Sequence, residues 1–141
     1  MTKQISIYSD GGSRGNPGPA AFAFVVIKNR EMIHKVSRYL GKTTNNVAEY
    51  KGAREAMRWI QKNKEEVKGY EIDLYFDSQL VVKQLTGEYK IKDKKLIPLA
   101  SEIKKMEKDI DNKIFYHFVR REKNKLPDEL LNEKLDAVLS K

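Results

Sequence analysis

The chain has 141 residues, 40% of them hydrophobic and 34% charged, with 28 Lys and Arg against 20 Asp and Glu for a formal net charge of +8. That length suits one domain with a real core, and the basic balance favours a polyanionic partner, either nucleic acid or an anionic surface. The absence of cysteine excludes disulfides, thiolate metal ligands and a cysteine nucleophile. With no apolar run near the ~18 residues of a membrane span and no signal-peptide core at the start, one cytoplasmic domain over residues 1–141 is expected.

Lys3–Ser9 sets Ile5, Ile7 and Ser9 against Gln4, Ser6 and Tyr8, the period-two pattern of a strand. The strand is expected to end at Asp10, where Asp10-Gly11-Gly12-Ser13-Arg14-Gly15-Asn16-Pro17-Gly18-Pro19 packs turn residues together. Ala20–Lys28 and Met32–Leu40 read as two more strands joined by a short turn around Asn29-Arg30-Glu31, which makes an antiparallel meander. Thr43-Thr44-Asn45-Asn46 is a helix-start cluster, and Val47, Tyr50, Ala53, Met57 and Ile60 carry the helix to about Lys62. Tyr70–Phe76 is a fourth strand, and Asp77-Ser78 opens a short helix to about Leu85. After a lysine-rich connection over Thr86–Lys95, Leu96, Leu99, Ile103, Met106 and Ile110 mark a further helix. Ile114–Val119 is a fifth strand, Arg120–Leu126 a charged loop, and from Pro127 onward Leu131, Leu135, Val138 and Leu139 form one face of a last helix. The order βββ-α-β-α-α-β-α implies an α/β fold with one mixed five-stranded sheet flanked by helices.

Three acids stand where sites gather in such sheets. Asp10 and Asp77 are at strand ends, and Glu49 is one turn inside a helix. If their strands are neighbours the carboxylates meet, and hard oxygen donors suit Mg²⁺ or Mn²⁺ rather than zinc. Each acid also has a plainer role open to it. Asp10-Gly11 is a common turn dipeptide, Asp77-Ser78 caps helices, and Glu49 falls where it can complete a capping interaction or complement the helix dipole. The Gly-rich loop lacks the Lys-Ser/Thr of a P-loop and is followed by a strand, so neither a nucleotide P-loop nor a Rossmann fingerprint is present.

In combination, DGG-x-x-GNPG, TTNN-x-x-E, DSQ and the segment HFVRREKNKLPDELLNEKLD resemble the type 1 ribonucleases H, in order and over essentially residues 4–139. The resemblance implies a ribonuclease H-like fold and an endonuclease that hydrolyses the RNA strand of RNA–DNA hybrids, leaving 5′-phosphate and 3′-hydroxyl ends. It implies metal ligation by Asp10, Glu49, Asp77 and Asp128, with two Mg²⁺ ions about 4 Å apart in the presence of substrate, Mn²⁺ being an alternative. Asp10 bridges the ions in that scheme, Glu49 and Asp77 serve the leaving-group side, and Asp128 serves the nucleophile side. Asp128 is chosen over Asp109, Asp111 and Asp136 by this likeness alone, with Leu131 and Pro127 departing from the family pattern and Asp136 as the fallback.

By the same likeness Gly11 (through its backbone), Asn45, Glu49 and Gln79 read sugar hydroxyls, while Asn16, Thr44 and Asn46 contact RNA or a DNA phosphate. The 2′-hydroxyl is what separates RNA from DNA. The expected partner is thus an RNA–DNA hybrid bound by shape, with no membrane partner, and the expected state is a monomer. Two departures are specific to this chain. The segment GEYKIKDKKLIPL replaces a longer Trp-containing basic handle, leaving Lys90, Lys92, Lys94 and Lys95 to supply part of that grip. The loop Arg120–Leu126 lacks the histidine of many relatives, and His117 and His34, inside strand patterns, are expected to be structural. A related nuclease of different duplex preference and a non-catalytic hybrid-binding module are the rival readings.

Overall fold

The alternating apolar positions build a meander of β1 (Lys3–Ser13), β2 (Gly18–Lys28) and β3 (Glu31–Thr43), in a computed structural model that describes residues 3–140. Asn29 and Arg30 connect β2 to β3 with φ of 52° and 67°. Two successive left-handed residues make a hairpin turn whose twist matches the strands. β4 (Tyr70–Phe76) and β5 (Ile114–Phe118) complete one mixed sheet of order β3-β2-β1-β4-β5, with β4 parallel to both β1 and β5. The expected α/β architecture and five-stranded sheet are therefore present.

The helices are α1 (Asn45–Lys62), α2 (Lys64–Val67), α3 (Gln79–Leu85), α4 (Ile97–Asp109) and α5 (Lys125–Leu139), with a 3₁₀ turn at Arg121–Lys123. The short α2 was not expected. It has only four residues, too few to show a helical period. α5 begins two residues earlier than the proline suggested. The first four N–H groups of a helix lack internal partners, so Pro127 at its third position removes no bond.

The two sheet faces are covered unequally. Ile5, Ile7, Phe22, Phe24, Ile72, Leu74 and Phe76 form the main core with α1, α3 and α4. On the other face Ala21 and Ala23 of β2 receive Leu131 and Leu135 of α5 in a small second cluster. Small alanines let the helix lie close, and the leucine pair one turn apart fills the gap. This second cluster seats α5 on β2, the strand beside β1.

The first strand does not end at Asp10. Its parallel pairing with β4 stops at Tyr8 opposite Tyr75, but the antiparallel pairing with β2 continues through Asp10–Ala23 to Ser13–Ala20. The glycines are compatible with this extension and serve a second purpose. A Cβ at Gly11 would lie 2.4 Å from the Ala48 carbonyl carbon, and one at Gly52 would lie 2.9 Å from Ser9 Oγ. Glycine at both points lets α1 press onto β1 closely enough to bring Glu49 beside Asp10.

Candidate active site

Carboxylate oxygens of Asp10, Glu49 and Asp77 lie within 4.8 Å of one another. Each arrives from a different element: Asp10 from β1 beyond its parallel pairing, Asp77 from the residue after β4, and Glu49 from the second turn of α1. Asp128, in the first turn of α5, lines the same open cleft of about 360 Å³ together with Gly11, Asn45, Ser78, Arg121 and Asn132. A larger groove of about 870 Å³ lies at the opposite end of the sheet, where Tyr70 begins β4. It brings lysines and acids together without a convergent cluster.

Asp10 and Glu49 are only 6% and 7% exposed, so their charges are largely removed from water. Two carboxylates at such separation repel by roughly 3–4 kcal/mol at an effective dielectric of about 20. Burial pushes the Asp10 carboxyl up to about 8, helped by the Asp77 and Asp128 carboxylates nearby. Against this, the Gly11 N–H donates to Asp10 Oδ1 at 2.9 Å and favours the anion. Burial, followed by the charges of Asp10 and Asp77, also raises Glu49, while Arg121 acts in the opposite direction. Asp77 is raised by burial and lowered by the Asn124 amide and Arg121.

The helix caps come from side chains other than the acids. Thr44 Oγ1 caps α1 by accepting from Val47 N–H at 3.2 Å, and Ser78 Oγ caps α3 by accepting from Val81 N–H at 3.3 Å. Glu49 is left with a buried Oε2 that, among the described residues, has no hydrogen-bond partner. A buried anion without partners is costly, and a divalent cation among these oxygens satisfies it while cancelling the mutual repulsion. An all-oxygen, strongly anionic donor set fits Mg²⁺ or Mn²⁺.

Among the other expected contact residues, Gly11 and Asn45 line the acid cleft. Asn45 Oδ1 accepts from Ser13 N–H at 2.8 Å and from Ser13 Oγ at 3.1 Å, while its own N–H donates to Asn16 Oδ1 at 3.0 Å. Those bonds fasten the Gly-rich connection to the start of α1. Asn16 is exposed on that connection, Thr44 and Asn46 flank Asn45 half-buried, and Gln79 is exposed in the first turn of α3. His117 lies on the sheet face, its Nε2 2.7 Å from Asp73 Oδ1 and its ring stacked on Tyr75 at 4.9 Å. His34 stacks on Trp59 at 5.6 Å. Neither histidine lines the acid cleft.

Asp136, the fallback, is occupied elsewhere. It pairs with Arg14 at 2.7 Å and remains 70% exposed. Arg14 also donates to the carbonyl and the Oδ1 of Asn132, each at 3.3 Å, and Asn132 Nδ2 donates to Asp128 Oδ1 at 3.1 Å. Asn132, Arg14, Arg121 and Asn124 were not singled out in the sequence. Asn132 carries a readable signal, because it lies four residues after Asp128 on one helix face. Asn124 and Arg121 carry none, since both act across the fold.

Comparison with known proteins agrees with this fold. The RNase H family model matches residues 2–130. A bifunctional protein of Mycobacterium tuberculosis is 34% identical over 136 residues, which are 95% of this chain and 36% of that protein. The ribonuclease HI of Halobacterium salinarum is 35% identical over 135 residues, covering 94% of this chain and 65% of that one. The chain thus spans about a third of the mycobacterial relative and just under two thirds of the halobacterial one. The crystal structure of LC11-RNase H1 in complex with an RNA/DNA hybrid superposes with a TM-score of 0.90 at 37% identity, covering 96% of this chain and 99% of that chain. The H. salinarum RNase H1 structure superposes with a TM-score of 0.85 at 33% identity, over 95% of this chain and 98% of that one.

Proposed function

The chain belongs to the type 1 ribonuclease H family, and from that premise we propose that it is an endoribonuclease that hydrolyses the RNA strand of RNA–DNA hybrids with divalent metal. The observation that carries the reading is the meeting of Asp10, Glu49 and Asp77 carboxylates within 4.8 Å, with Asp128 in the same cleft. The hybrid-bound structure of a 37% identical relative supports the choice of substrate.

Divalent ions bound here would supply Lewis-acid charge at the scissile phosphate and lower the pKa of the attacking water. Asp10, Glu49, Asp77 and Asp128 would hold that charge, Asp10 giving up its proton to solvent. Water adds at phosphorus and the P–O3′ bond breaks, leaving a 5′-phosphate and a 3′-hydroxyl. Gly11, through its backbone, and Asn45, Glu49 and Gln79 read the RNA 2′-hydroxyls around the cut. Asn16, Thr44 and Asn46 hold the adjacent backbone. Recognition of this kind follows duplex shape and the 2′-hydroxyl rather than base sequence. Residues 1–141 act as one domain in this scheme, a monomer, with the cytoplasm as its setting.

The test is a cleavage assay with Mg²⁺ or Mn²⁺ on RNA–DNA hybrid, double-stranded RNA and double-stranded DNA of one sequence. Rapid cutting of the hybrid, with ends that accept 3′ extension, is expected. Intact hybrid after prolonged incubation with either ion would leave a non-catalytic binding module, and preference for another duplex would leave a related nuclease.

A further inference from the structure

Asn124 is 1% exposed, although it sits in the charged lead-in between the 3₁₀ turn and α5. Its amide nitrogen spends both protons on the site. Nδ2 donates to the Ser9 carbonyl at 2.9 Å and to Asp77 Oδ2 at 3.2 Å. Those two acceptors also fix the orientation of the amide, because the flipped group would set its oxygen against two other oxygens. Oδ1 is then buried and, among the described residues, has no partner. An unpartnered buried carbonyl is destabilising. A residue selected only to fill this space would be an aliphatic one.

The same residue closes the start of α5. Its backbone oxygen accepts the Asp128 N–H at 3.4 Å, and its N–H donates to the Arg121 carbonyl at 2.9 Å. One side chain and its own backbone therefore touch β1 at Ser9, the acid after β4, the helix turn bearing Asp128 and the turn bearing Arg121. We propose that Asn124 is a positioning residue, whose side-chain amide holds the Asp77 carboxylate in the pose that receives divalent metal. This rests on the metal-dependent reading above. Asn124 touches neither substrate nor ion in this role. It acts through Asp77, as hydrogen bonds to a ligating carboxylate do.

The test compares wild type with Asn124→Ala and Asn124→Asp. Mn²⁺ binding is measured by calorimetry without nucleic acid, and hybrid binding is measured in EDTA. Outer-shell partners of this kind typically change metal affinity by about 10–100-fold. We expect roughly a tenfold weaker Mn²⁺ affinity in Asn124→Ala, with hybrid affinity in EDTA within about twofold of wild type. Asn124→Asp keeps the shape, replaces the donating amide with a group of the wrong sign, and should weaken Mn²⁺ binding at least as much. In an Asp77→Asn background the Asn124→Ala change should add little, since the two act through one contact.

Unchanged Mn²⁺ affinity in either folded variant overturns the proposal, as does a full additional loss in the Asp77→Asn background. Loss of the fold in both variants also overturns it, because the residue would then serve the fold and not the pose of Asp77. A wild-type chain that binds no Mn²⁺ and cuts no hybrid refutes the metal-dependent reading instead, so the two failures are distinct.

Discussion

Asp10 concentrates the electrostatic conflict of the site, being buried, faced by Asp77 and Asp128, and raised to about 8. An acid raised in the folded state leaves the metal-free protein more stable below its ordinary value of 3.8, and that contribution is lost as pH rises toward about 8. Glu49 and Asp77 shift in the same direction. The thermal midpoint in EDTA should therefore fall from this source between about pH 4 and 8, and the gain on adding Mg²⁺ should grow across the same interval. A Mg²⁺ effect that is flat from pH 5 to 8 in calorimetric scans contradicts this. Asp10→Asn should abolish cleavage while retaining hybrid binding, and should stabilise the metal-free protein at pH 8 by on the order of 1–3 kcal/mol. Full activity in that variant refutes the assignment of Asp10 to metal. His117 behaves differently, because its partner Asp73 is buried beneath it on the sheet and lies outside the acid cleft. His117→Ala should leave cleavage within about twofold of wild type. It should lower stability by roughly 1–3 kcal/mol through the stranded Asp73 acceptor, a split that paired kinetics and urea titrations resolve.

Between elements, the close approach of α1 to β1 decides whether Glu49 reaches the cluster. A methyl group at Gly11 meets backbone atoms of Ala48 and Glu49 at 2.4–2.6 Å, and backbone has no rotamer by which to yield. Gly11→Ala should therefore cost at least about 2 kcal/mol and weaken Mg²⁺ binding, because the helix that carries Glu49 is pushed off the strand that carries Asp10. Wild-type urea midpoint and Mg²⁺ response in this variant would show that the contact is not limiting. Legibility differed between the elements for physical reasons. The alternation and turn residues predict an end to β1 at Asp10, yet its pairing with β2 continues to Ser13, and cross-strand pairing leaves no mark in local periodicity. α1 was read to Lys62 because a long amphipathic period averages out local noise, whereas the four residues of α2 offer no period at all.

Over the whole molecule, the charge of +8 surrounds a site made of acids. Hybrid affinity in EDTA should fall linearly on a logarithmic salt scale, as phosphate contacts release counterions. Replacing Lys90, Lys92, Lys94 and Lys95 with Gln should make that line shallower without changing the preference for hybrid over DNA duplex. An unchanged slope in filter-binding or fluorescence titrations would remove the Thr86–Lys95 connection from the contact surface. Stability at this scale rests on the main core under α1, α3 and α4, while the small Ala21–Ala23–Leu131–Leu135 cluster fastens α5 to the opposite face.

By itself the sequence determined the order of elements and the mixed α/β sheet, and it marked Asp10, Glu49 and Asp77 at element ends, because periodicity and turn chemistry are local and the motifs are contiguous. Asp128 came from resemblance, since nothing local separates it from Asp136. Only the tertiary structure separated those two, by giving Asp136 to Arg14 and placing Asp128 in the cleft with Asp10. It also brought Asn124, Asn132 and Arg121 beside the acids. Hydrogen bonds and fields across the fold depend on which strands lie side by side, and β1 meets β4 across more than sixty residues of chain. Convergence of that kind comes from strand order, which no residue carries alone.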